Sequence, residues 1–345
     1  MNKNRIFLSG LLLGCASISF NTTATDVTSY IVNGSNASVT EFPSIATLFY
    51  DRINYDGVYG VGSFCGGTLL NEQYVLTAAH CLFDDGKFDE SKALFISVVP
   101  QLEDESDFPN GNIQRIMAEE FYYHPSYNNS SLVNDIAIIK LASPYNINAA
   151  SDAIQRPADE TYRNAANTFK ALGHGRTTDS SNPVGPLLET TLTYETNAVC
   201  DSFFAADIQN SHLCFSGTYN ATSGLNNSTC NGDSGGPVYW ERGANDWVQV
   251  GVTSFGPTSC GTGTITSVFT EIYDFGTNGD GWIDNVLASS VAANYIATDA
   301  KRSSALSPST SGSSGSSSSG GALGWFTLFI MSLLLGSRQK ILRNS

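Results

Sequence analysis

The sequence predicts an all-β protein with one helix near the end of the chain. Short apolar runs recur along the middle of the sequence, and Gly, Asn, Asp, Ser and Pro separate them. This spacing is typical of strands joined by turns, and it favours a barrel or a sandwich over alternating strand–helix units. The 345 residues are 41% hydrophobic and 11% aromatic, which is enough apolar surface for a buried core. A net charge of −15 argues against a nucleic-acid-binding protein, which needs clustered Lys and Arg.

The predicted strands are rich in Val, Ile, Leu, Tyr and Phe, and turn residues bound them. Examples lie at residues 44–50, 74–77, 94–99, 135–141, 168–173, 237–240, 247–254 and 265–272. The helix is predicted over residues 281–296. The sequence contains no internal repeat of fixed period.

Residues 1–24 have the layout of a secretory signal peptide. Lys3 and Arg5 precede an apolar run over residues 6–16, and small residues follow it. The run is too short to cross a bilayer as a mature helix. An alternative stays open, because Leu12-Leu13-Gly14-Cys15 resembles the site at which bacterial lipoproteins are cut and lipidated. Removal of an ordinary signal peptide takes Cys15 away and leaves an even number of the seven cysteines.

The C-terminal end carries a linker and then a short apolar segment. Residues 303–321 are rich in Ser and Gly, which is typical of a flexible linker. Residues 322–345 are first apolar and then basic, an order that leaves the carboxyl end of an inserted segment in the cytoplasm.

The arrangement after Gly320-Gly321 resembles the Gly-Gly carboxyl-terminal sorting signals of Gram-negative bacteria, which a rhomboid-type intramembrane protease removes. That resemblance implies transient membrane association, with the processing protease and the secretion machinery as partners. It also implies export through the periplasm to the cell surface or the medium. A simple tail anchor that stays attached is the alternative.

Three local segments carry residues suited to catalysis. His80 stands beside a cysteine at the end of an apolar strand, Asp135 lies at the mouth of a buried strand, and Ser234 lies in a turn crowded with glycines. Taken alone, each is more often a structural feature than a catalytic one. Together they supply a nucleophile, a base and a group that orients the base, as acyl transfer requires.

From Ile31 to about Ser290 the sequence resembles the chymotrypsin/trypsin family of serine proteases. The resemblance rests on separate segments and on the order His, Asp, Ser along the chain. The segments are Ile31-Val32-Asn33-Gly34, Cys65-Gly66-Gly67-Thr68-Leu69, Thr77-Ala78-Ala79-His80-Cys81, His124-Pro125-Ser126-Tyr127, residues 134–141, Gly232-Asp233-Ser234-Gly235-Gly236-Pro237 and Trp282-Ile283. It implies two six-stranded antiparallel β-barrels with a C-terminal helix, in a protease domain over residues 31–302.

The resemblance also implies a serine endopeptidase that cuts protein or peptide substrates without a cofactor. Ser234 is the implied nucleophile, His80 the base, and Asp135 the residue that orients His80. The backbone amides of Gly232 and Ser234 are the implied oxyanion hole. By the same resemblance, three disulfides are implied in an oxidising compartment. They are Cys65–Cys81, Cys200–Cys214 and Cys230–Cys260.

The resemblance places the pocket for the side chain that precedes the scissile bond. Ser228 forms its floor, where a trypsin has an aspartate. A substrate Arg or Lys would find no buried partner there, so Phe, Tyr, Leu or Met is expected instead. Ser254, Phe255 and Gly256 are the expected walls, and Ser267 is expected to narrow the far end.

Residues 25–30 are expected to form a short activation peptide. Cleavage of the Tyr30–Ile31 bond would free the Ile31 ammonium group to pair with Asp233. The tyrosine fits self-activation, or activation by a chymotrypsin-like or elastase-like partner.

Two features of the sequence have alternative interpretations. One is an acidic cluster that could bind calcium through hard oxygen ligands or form a solvated loop. It consists of Glu103, Asp104, Glu105 and Asp107. Residues 278–281 partly resemble a calcium turn, but capping of the following helix is the better interpretation.

Two function classes follow. The first is the secreted endopeptidase, which the intact His80, Asp135, Ser234 and Gly232 favour. The second is a catalytically inactive, protease-shaped binding module tethered at a cell surface. The remaining histidines, His124, His174 and His212, are expected to be structural or exposed.

Overall fold

The computed structural model describes residues 31–176, 184–204 and 208–307. The predicted signal peptide, activation peptide and C-terminal segment lie outside the described residues, as does most of the predicted linker. Within the described ranges, no helix has both the length and the apolar character that crossing a bilayer requires.

Twelve strands form two antiparallel barrels, and we number these strands in chain order. The first barrel contains β1 Ile45–Arg52, β2 Cys65–Leu69, β3 Tyr74–Thr77, β4 Ile96–Pro100, β5 Ile116–Tyr123 and β6 Ala137–Leu141. The second contains β7 Phe169–Gly173, β8 Leu188–Glu195, β9 His212–Gly217, β10 Pro237–Gly243, β11 Asp246–Phe255 and β12 Ser267–Glu271.

Each barrel closes on itself. In the first, the neighbour order is β6-β3-β2-β1-β4-β5, and β5 pairs with β6. In the second, the order is β8-β7-β10-β11-β12-β9, and β8 pairs with β9. The predicted pair of six-stranded antiparallel barrels is therefore confirmed. Two-residue strands extend the sheets at Ser35–Asn36, Val58–Tyr59 and Tyr295–Ile296.

The barrel interiors are filled by side chains that alternate along the strands. In β8, for example, Leu188, Thr190, Leu192 and Tyr194 are buried while the residues between them are more exposed. The two barrels meet closely at Gly66 of β2, where an added Cβ would lie 3.0 Å from the Cα of Gly236. This approach brings the start of β10 against the first barrel.

Short helices connect the strands. They are α1 Glu90–Ala93, α2 Ala149–Asp152, α3 Asn197–Phe204, α4 Trp282–Leu287 and α5 Asp299–Leu306, with 3₁₀ turns at Ala79–Leu82, Glu105–Asp107 and Tyr273–Phe275. The Asp280 carboxylate accepts a hydrogen bond from Trp282 N, in the first residue of α4, at 2.9 Å, while the N-cap residue Gly281 makes no side-chain cap.

The prediction of a single helix over residues 281–296 is wrong. α4 ends at Leu287, and Ser289 then has a φ of 56°, which lies in the left-handed region and breaks a helix. Tyr295 and Ile296 instead pair with β5.

α5 extends folded structure into the predicted linker, beyond residue 302. Its Arg302 is only 3% exposed and donates hydrogen bonds to the carbonyls of Leu94 and Ala118, at 2.6 and 2.5 Å. These two bonds fix α5 on the first barrel.

Candidate active site

His80 and Asp135 lie at adjacent ends of two paired strands. β3 ends at Thr77 and β6 begins at Ala137, and these two residues are directly opposite each other in the antiparallel pair. The turn Ala79–Leu82 after β3 carries His80, and Asp135 comes just before β6. Strand pairing therefore joins two side chains that are 55 residues apart in sequence.

The Asp135 carboxylate is fully buried and accepts three hydrogen bonds. Its Oδ2 lies 2.7 Å from His80 Nδ1, and its Oδ1 accepts from the His80 backbone N at 2.8 Å. The third donor is the Ser254 hydroxyl, at 2.5 Å from Oδ2. The Asp135 carboxylate accepts a hydrogen bond from Nδ1, so the neutral His80 ring carries its proton on Nδ1. The other ring nitrogen, Nε2, can therefore accept a proton.

The role of Ser254 differs from the sequence interpretation, which treated it only as a wall of the pocket. Its side chain points at Asp135, 119 residues away in sequence. No local pattern in the sequence signals that contact, because it depends on how the two barrels pack.

Ser234 lies in a glycine-rich turn before β10. Gly232 and Gly235 have φ values of 103° and 78°, which residues with a side chain rarely adopt. The Ser234 carbonyl accepts from Gly66 N at 2.7 Å, which fixes the turn against β2. Among the described residues, the amides of Gly232 and Ser234 have no hydrogen-bond acceptor, so both can bind a ligand.

His80, Ser234 and Gly232 line one cleft of about 590 Å³. The structure therefore places the predicted nucleophile Ser234, the predicted base His80 and Gly232 of the predicted oxyanion hole in one cleft. Phe64 and Lys92 also line the cleft, and the sequence interpretation identified neither.

Asp233 and Ile31 are both buried, and Gly175 lies between them. The Asp233 carboxylate accepts from Gly175 N and from Cys230 N, each at 2.8 Å. The backbone N of Ile31 donates to the Gly175 carbonyl at 3.3 Å. Gly175 therefore links the Ile31 nitrogen to the Asp233 carboxylate through its own two backbone groups. Burial raises the pKa of Asp233 to about 7. A cation at the Ile31 nitrogen would therefore stabilise the ionised carboxylate.

The predicted pocket contains two fully buried serines. The hydroxyl of Ser228 has no hydrogen-bond partner among the described residues. The hydroxyl of Ser267 accepts from Thr229 N at 3.0 Å, so it is already engaged within the wall. An added Cβ on Gly256 would lie 3.0 Å from the carbonyl oxygen of Thr266, which leaves little room for a side chain there. Phe255 is half-buried and packs edge-on against Phe204.

Three disulfides stabilise the loops around the site, with the pairing that the resemblance implies. They are Cys65–Cys81, Cys200–Cys214 and Cys230–Cys260. The first joins β2 to the turn that carries His80, and the third joins the Ser234 loop to the segment after β11. Such bonds form and persist in oxidising compartments.

The acidic cluster does not converge on one point. Glu103, Asp104 and Glu105 accept hydrogen bonds from three different backbone amides, those of Val39, Ser106 and Ser63. Glu105 is only 2% exposed, and burial raises its pKa to about 6, so this residue is not part of a solvated loop. Calcium binding by Glu103, Asp104, Glu105 and Asp107 stays a prediction.

The other three histidines are buried. His124 Nε2 lies 2.8 Å from the Asp280 carboxylate, and His212 Nε2 lies 3.3 Å from the Leu132 carbonyl. Burial lowers the pKa of His174 to about 4, so this residue is neutral at physiological pH. The structural interpretation of these residues is consistent with these contacts.

Comparisons with known proteins agree with this geometry. Residues 31–277 match the family described as Trypsin. The "Venom serine protease" of Polistes dominula is 31% identical over 236 residues, which are 68% of this chain and 78% of the relative. The "CLIP domain-containing serine protease B4" of Anopheles gambiae is 29% identical, over 72% of this chain and 69% of the relative. The "Brachyurin" of Leptuca pugilator is 28% identical, over 71% of this chain and 95% of the relative.

Proposed function

Because this chain belongs to the trypsin family of serine proteases, we propose that it hydrolyses peptide bonds through Ser234, His80 and Asp135. The observation that carries the proposal is the contact of 2.7 Å between Asp135 and His80 in a cleft that Ser234 also lines. These three groups are the ones that acyl transfer needs in one place.

The reaction proceeds in two halves. Ser234 Oγ attacks the carbonyl carbon of the scissile bond while His80 Nε2 takes the hydroxyl proton. The negative oxygen of the tetrahedral intermediate accepts hydrogen bonds from the amides of Gly232 and Ser234, each worth about 3–4 kcal/mol in related chemistry. His80 then donates the proton to the leaving amine, and an acyl-enzyme forms. Water, activated by His80, releases the acid and restores Ser234.

A serine-directed fluorophosphonate tests this proposal. We expect it to label the mature enzyme on Ser234 and to leave the Ser234→Ala variant unlabelled. A folded mature chain that takes up no label and cleaves no peptide would instead support the inactive, tethered binding module.

We expect activity to be lost at acidic pH, because His80 becomes protonated there. Burial lowers the pKa of His80, but the charge of Asp135 and its hydrogen bond raise it more, so the pKa lies above its ordinary value. A protonated imidazole cannot accept the serine proton, so kcat/KM is expected to fall as pH drops through this raised pKa. A profile of kcat/KM from about pH 5 to pH 9 checks the prediction, and a flat profile contradicts it.

Gly175 is a second position at which we expect a substitution to lower activity. An added Cβ would lie 2.4 Å from Asp233 Cγ and 2.6 Å from Asp233 N, so Gly175→Ala must displace the turn that carries Ser234. We expect kcat to fall by at least about 100-fold, the loss expected when one oxyanion donor is removed.

Gly243→Ala is the matched control for this change, because the nearest atom to its added Cβ is 4.0 Å away. Steady-state kinetics of both variants decide the question. Equal kcat values for the two variants would contradict the role of Gly175.

We propose that the enzyme cuts after Phe, Tyr, Leu or Met. The absence of a carboxylate at the floor residue Ser228 supports this, because a buried substrate cation would have no partner there. A peptide library cleaved by the mature enzyme measures the preference, and faster cleavage after Arg than after Phe would overturn it.

We propose that the enzyme is made as a zymogen and is activated at Tyr30–Ile31. Support comes from Gly175, which hydrogen-bonds to both Ile31 N and the Asp233 carboxylate. A free ammonium group at Ile31 would offset the energetic cost of burying that carboxylate in its charged form. N-terminal sequencing of the purified Ser234→Ala precursor tests self-activation. A precursor that is still cut at Tyr30 when expressed alone shows that another protease suffices.

We propose that the protein is secreted, with residues 1–24 as signal peptide. The three disulfides support an oxidising destination. The proposals of a Gram-negative bacterial source, rhomboid-type processing and transient membrane association rest on residues 320–345 alone, since none of the three relatives above is bacterial. Mass spectrometry of the mature protein tests them together: a Trp325-containing peptide supports the retained anchor, and a lipidated Cys15 supports the lipoprotein alternative.

We propose that catalysis needs no cofactor, because the three side chains and two amides account for every proton and charge in the reaction. Unchanged kcat/KM in a metal chelator is the expected result. A loss of activity that added calcium restores would support the predicted calcium site instead.

A further inference from the structure

Lys92 is a cation placed in the cleft beside His80. It belongs to α1, in the segment between β3 and β4, and its ammonium lies 4.8 Å from the centroid of the Phe64 ring. Both side chains line the cleft that contains His80 and Ser234. Among the described residues, no carboxylate forms an ion pair with Lys92.

The ammonium of Lys92 is partly dehydrated. Burial lowers its pKa, and the nearby charges of Asp89 and Asp84, on the same segment, raise it. The charge of Lys92 in turn lowers the pKa of His80, so the ammonium acts on the imidazole through space. A cation with this little water around it gains from a carboxylate more than an exposed cation does.

The cleft is separate from the predicted pocket for the side chain that precedes the scissile bond. That pocket is predicted from Ser228, Ser267 and residues 254–256, none of which lines the cleft. The cleft is instead bounded by Phe64 and the Cys65–Cys81 disulfide of the first barrel. When a peptide places its carbonyl over Ser234 and its preceding side chain in that predicted pocket, the cleft beside Lys92 is left for the residues on its leaving side.

Two other charged side chains, Glu105 and Arg176, line the cleft with Lys92. Glu105 also lines the cleft, but its carboxylate is buried and accepts from Ser63 N at 2.8 Å. Arg176 lines the cleft near Asn231 and adds a second positive charge.

Resting on the proposed function, we propose that Lys92 is a specificity-determining residue: it selects substrates with a carboxylate side chain on the first or second residue after the scissile bond. The Phe64 ring holds the ammonium in position through the cation–π contact. The carboxylate binds the open side of the same ammonium.

Matched peptides test the proposal. Internally quenched peptides with a fixed Phe before the scissile bond carry Glu, Gln or Lys at the first or second following position. For the mature wild-type enzyme, we expect kcat/KM to be about tenfold higher for Glu than for Gln at one of these positions, as a partly desolvated ion pair predicts. Measurements at about 0.15 M salt screen the repulsion between acidic peptides and the acidic protein as a whole.

Variants of Lys92 separate recognition from a structural role. Lys92→Gln is expected to bring the Glu/Gln ratio to about one and Lys92→Glu to invert it, whereas Lys92→Arg is expected to keep it. The ratio is taken within each variant, so a general loss of activity cancels. Lys87→Gln removes a charge at an exposed position of the two-residue strand Lys87–Phe88, which lies outside the cleft, and is expected to keep the wild-type ratio.

The outcomes are distinct. A wild-type Glu/Gln ratio near one at both positions, or a preference that survives in Lys92→Gln, overturns the role of Lys92 and leaves the proposed function intact. A wild-type enzyme that cleaves none of the peptides and takes up no fluorophosphonate overturns the proposed function itself.

Discussion

Asp135→Asn is expected to lower kcat for peptide cleavage by about 10⁴-fold, the loss that this change causes in a related triad. The carboxylate accepts from His80 Nδ1 and therefore keeps the proton on that nitrogen. An amide can present its NH₂ group to Nδ1 instead, which moves the ring proton to Nε2. The nitrogen that should take the proton of Ser234 is then already protonated.

Kinetics and folding must be measured together in this variant. We expect thermal unfolding to stay cooperative, because Asn fits the same space and its oxygen, at the place of Oδ1, can still accept from the His80 backbone N. Asp85→Asn makes the same chemical change at an exposed turn position with a φ of 46°, where Asn is well tolerated, and should keep wild-type kcat. A folded Asp135→Asn enzyme with a kcat within about tenfold of wild type would contradict the assigned role of Asp135.

Glu271→Ala is expected to cost about 3 kcal/mol of unfolding free energy, because it leaves a charged and a polar group without their buried partner. Glu271 is fully buried in β12, and its carboxylate accepts from Arg163 Nε at 2.9 Å. It also accepts from a second nitrogen of Arg163 and from the Tyr162 hydroxyl. Denaturant unfolding monitored by fluorescence measures the loss.

An exposed ion pair provides the control for this prediction. Arg242 and Asp246 form a similar contact of 2.7 Å on a surface hairpin, with 46% and 35% of their side chains exposed. Asp246→Ala should cost less than about 1 kcal/mol, as exposed pairs usually do. Replacing Arg163 and Glu271 together by apolar residues should recover part of the loss, since no buried charge is then left unpaired. Equal losses for Glu271→Ala and Asp246→Ala would contradict this account.

The sequence predicts a barrel strand where that strand is a continuous run of apolar residues. Each of the eight predicted apolar runs overlaps an observed strand, and β3 matches at both ends. Four barrel strands lie outside these runs, because glycine, threonine, charged residues or a histidine interrupt their apolar pattern. They are β2, β5, β8 and β9. In β8, period-two burial was legible in the alternation of the sequence, but a search for continuous apolar runs does not find it.

The candidate catalytic residues could be identified because each lies in a local motif, whereas the contacts that surround them could not. Ser254 donates a hydrogen bond to Asp135, and Ser267 accepts one from Thr229. In each pair the two residues are too far apart in sequence to belong to one motif. Lys92 was missed for the same reason: its contact with Phe64 depends on the fold of the segment between β3 and β4. Long-range contacts of single side chains follow from packing, and a sequence does not display packing.

The anchoring of α5 has a mechanical consequence. Arg302 bonds to carbonyls on two separate segments of the first barrel, at Leu94 and Ala118, while Tyr55 binds Asp299 at the start of the same helix at 2.8 Å. Tension applied to the chain after residue 307 is therefore carried first by these bonds. The load enters the protein through the first barrel, and the Ser234 turn at the start of β10 is not on the direct path of the force.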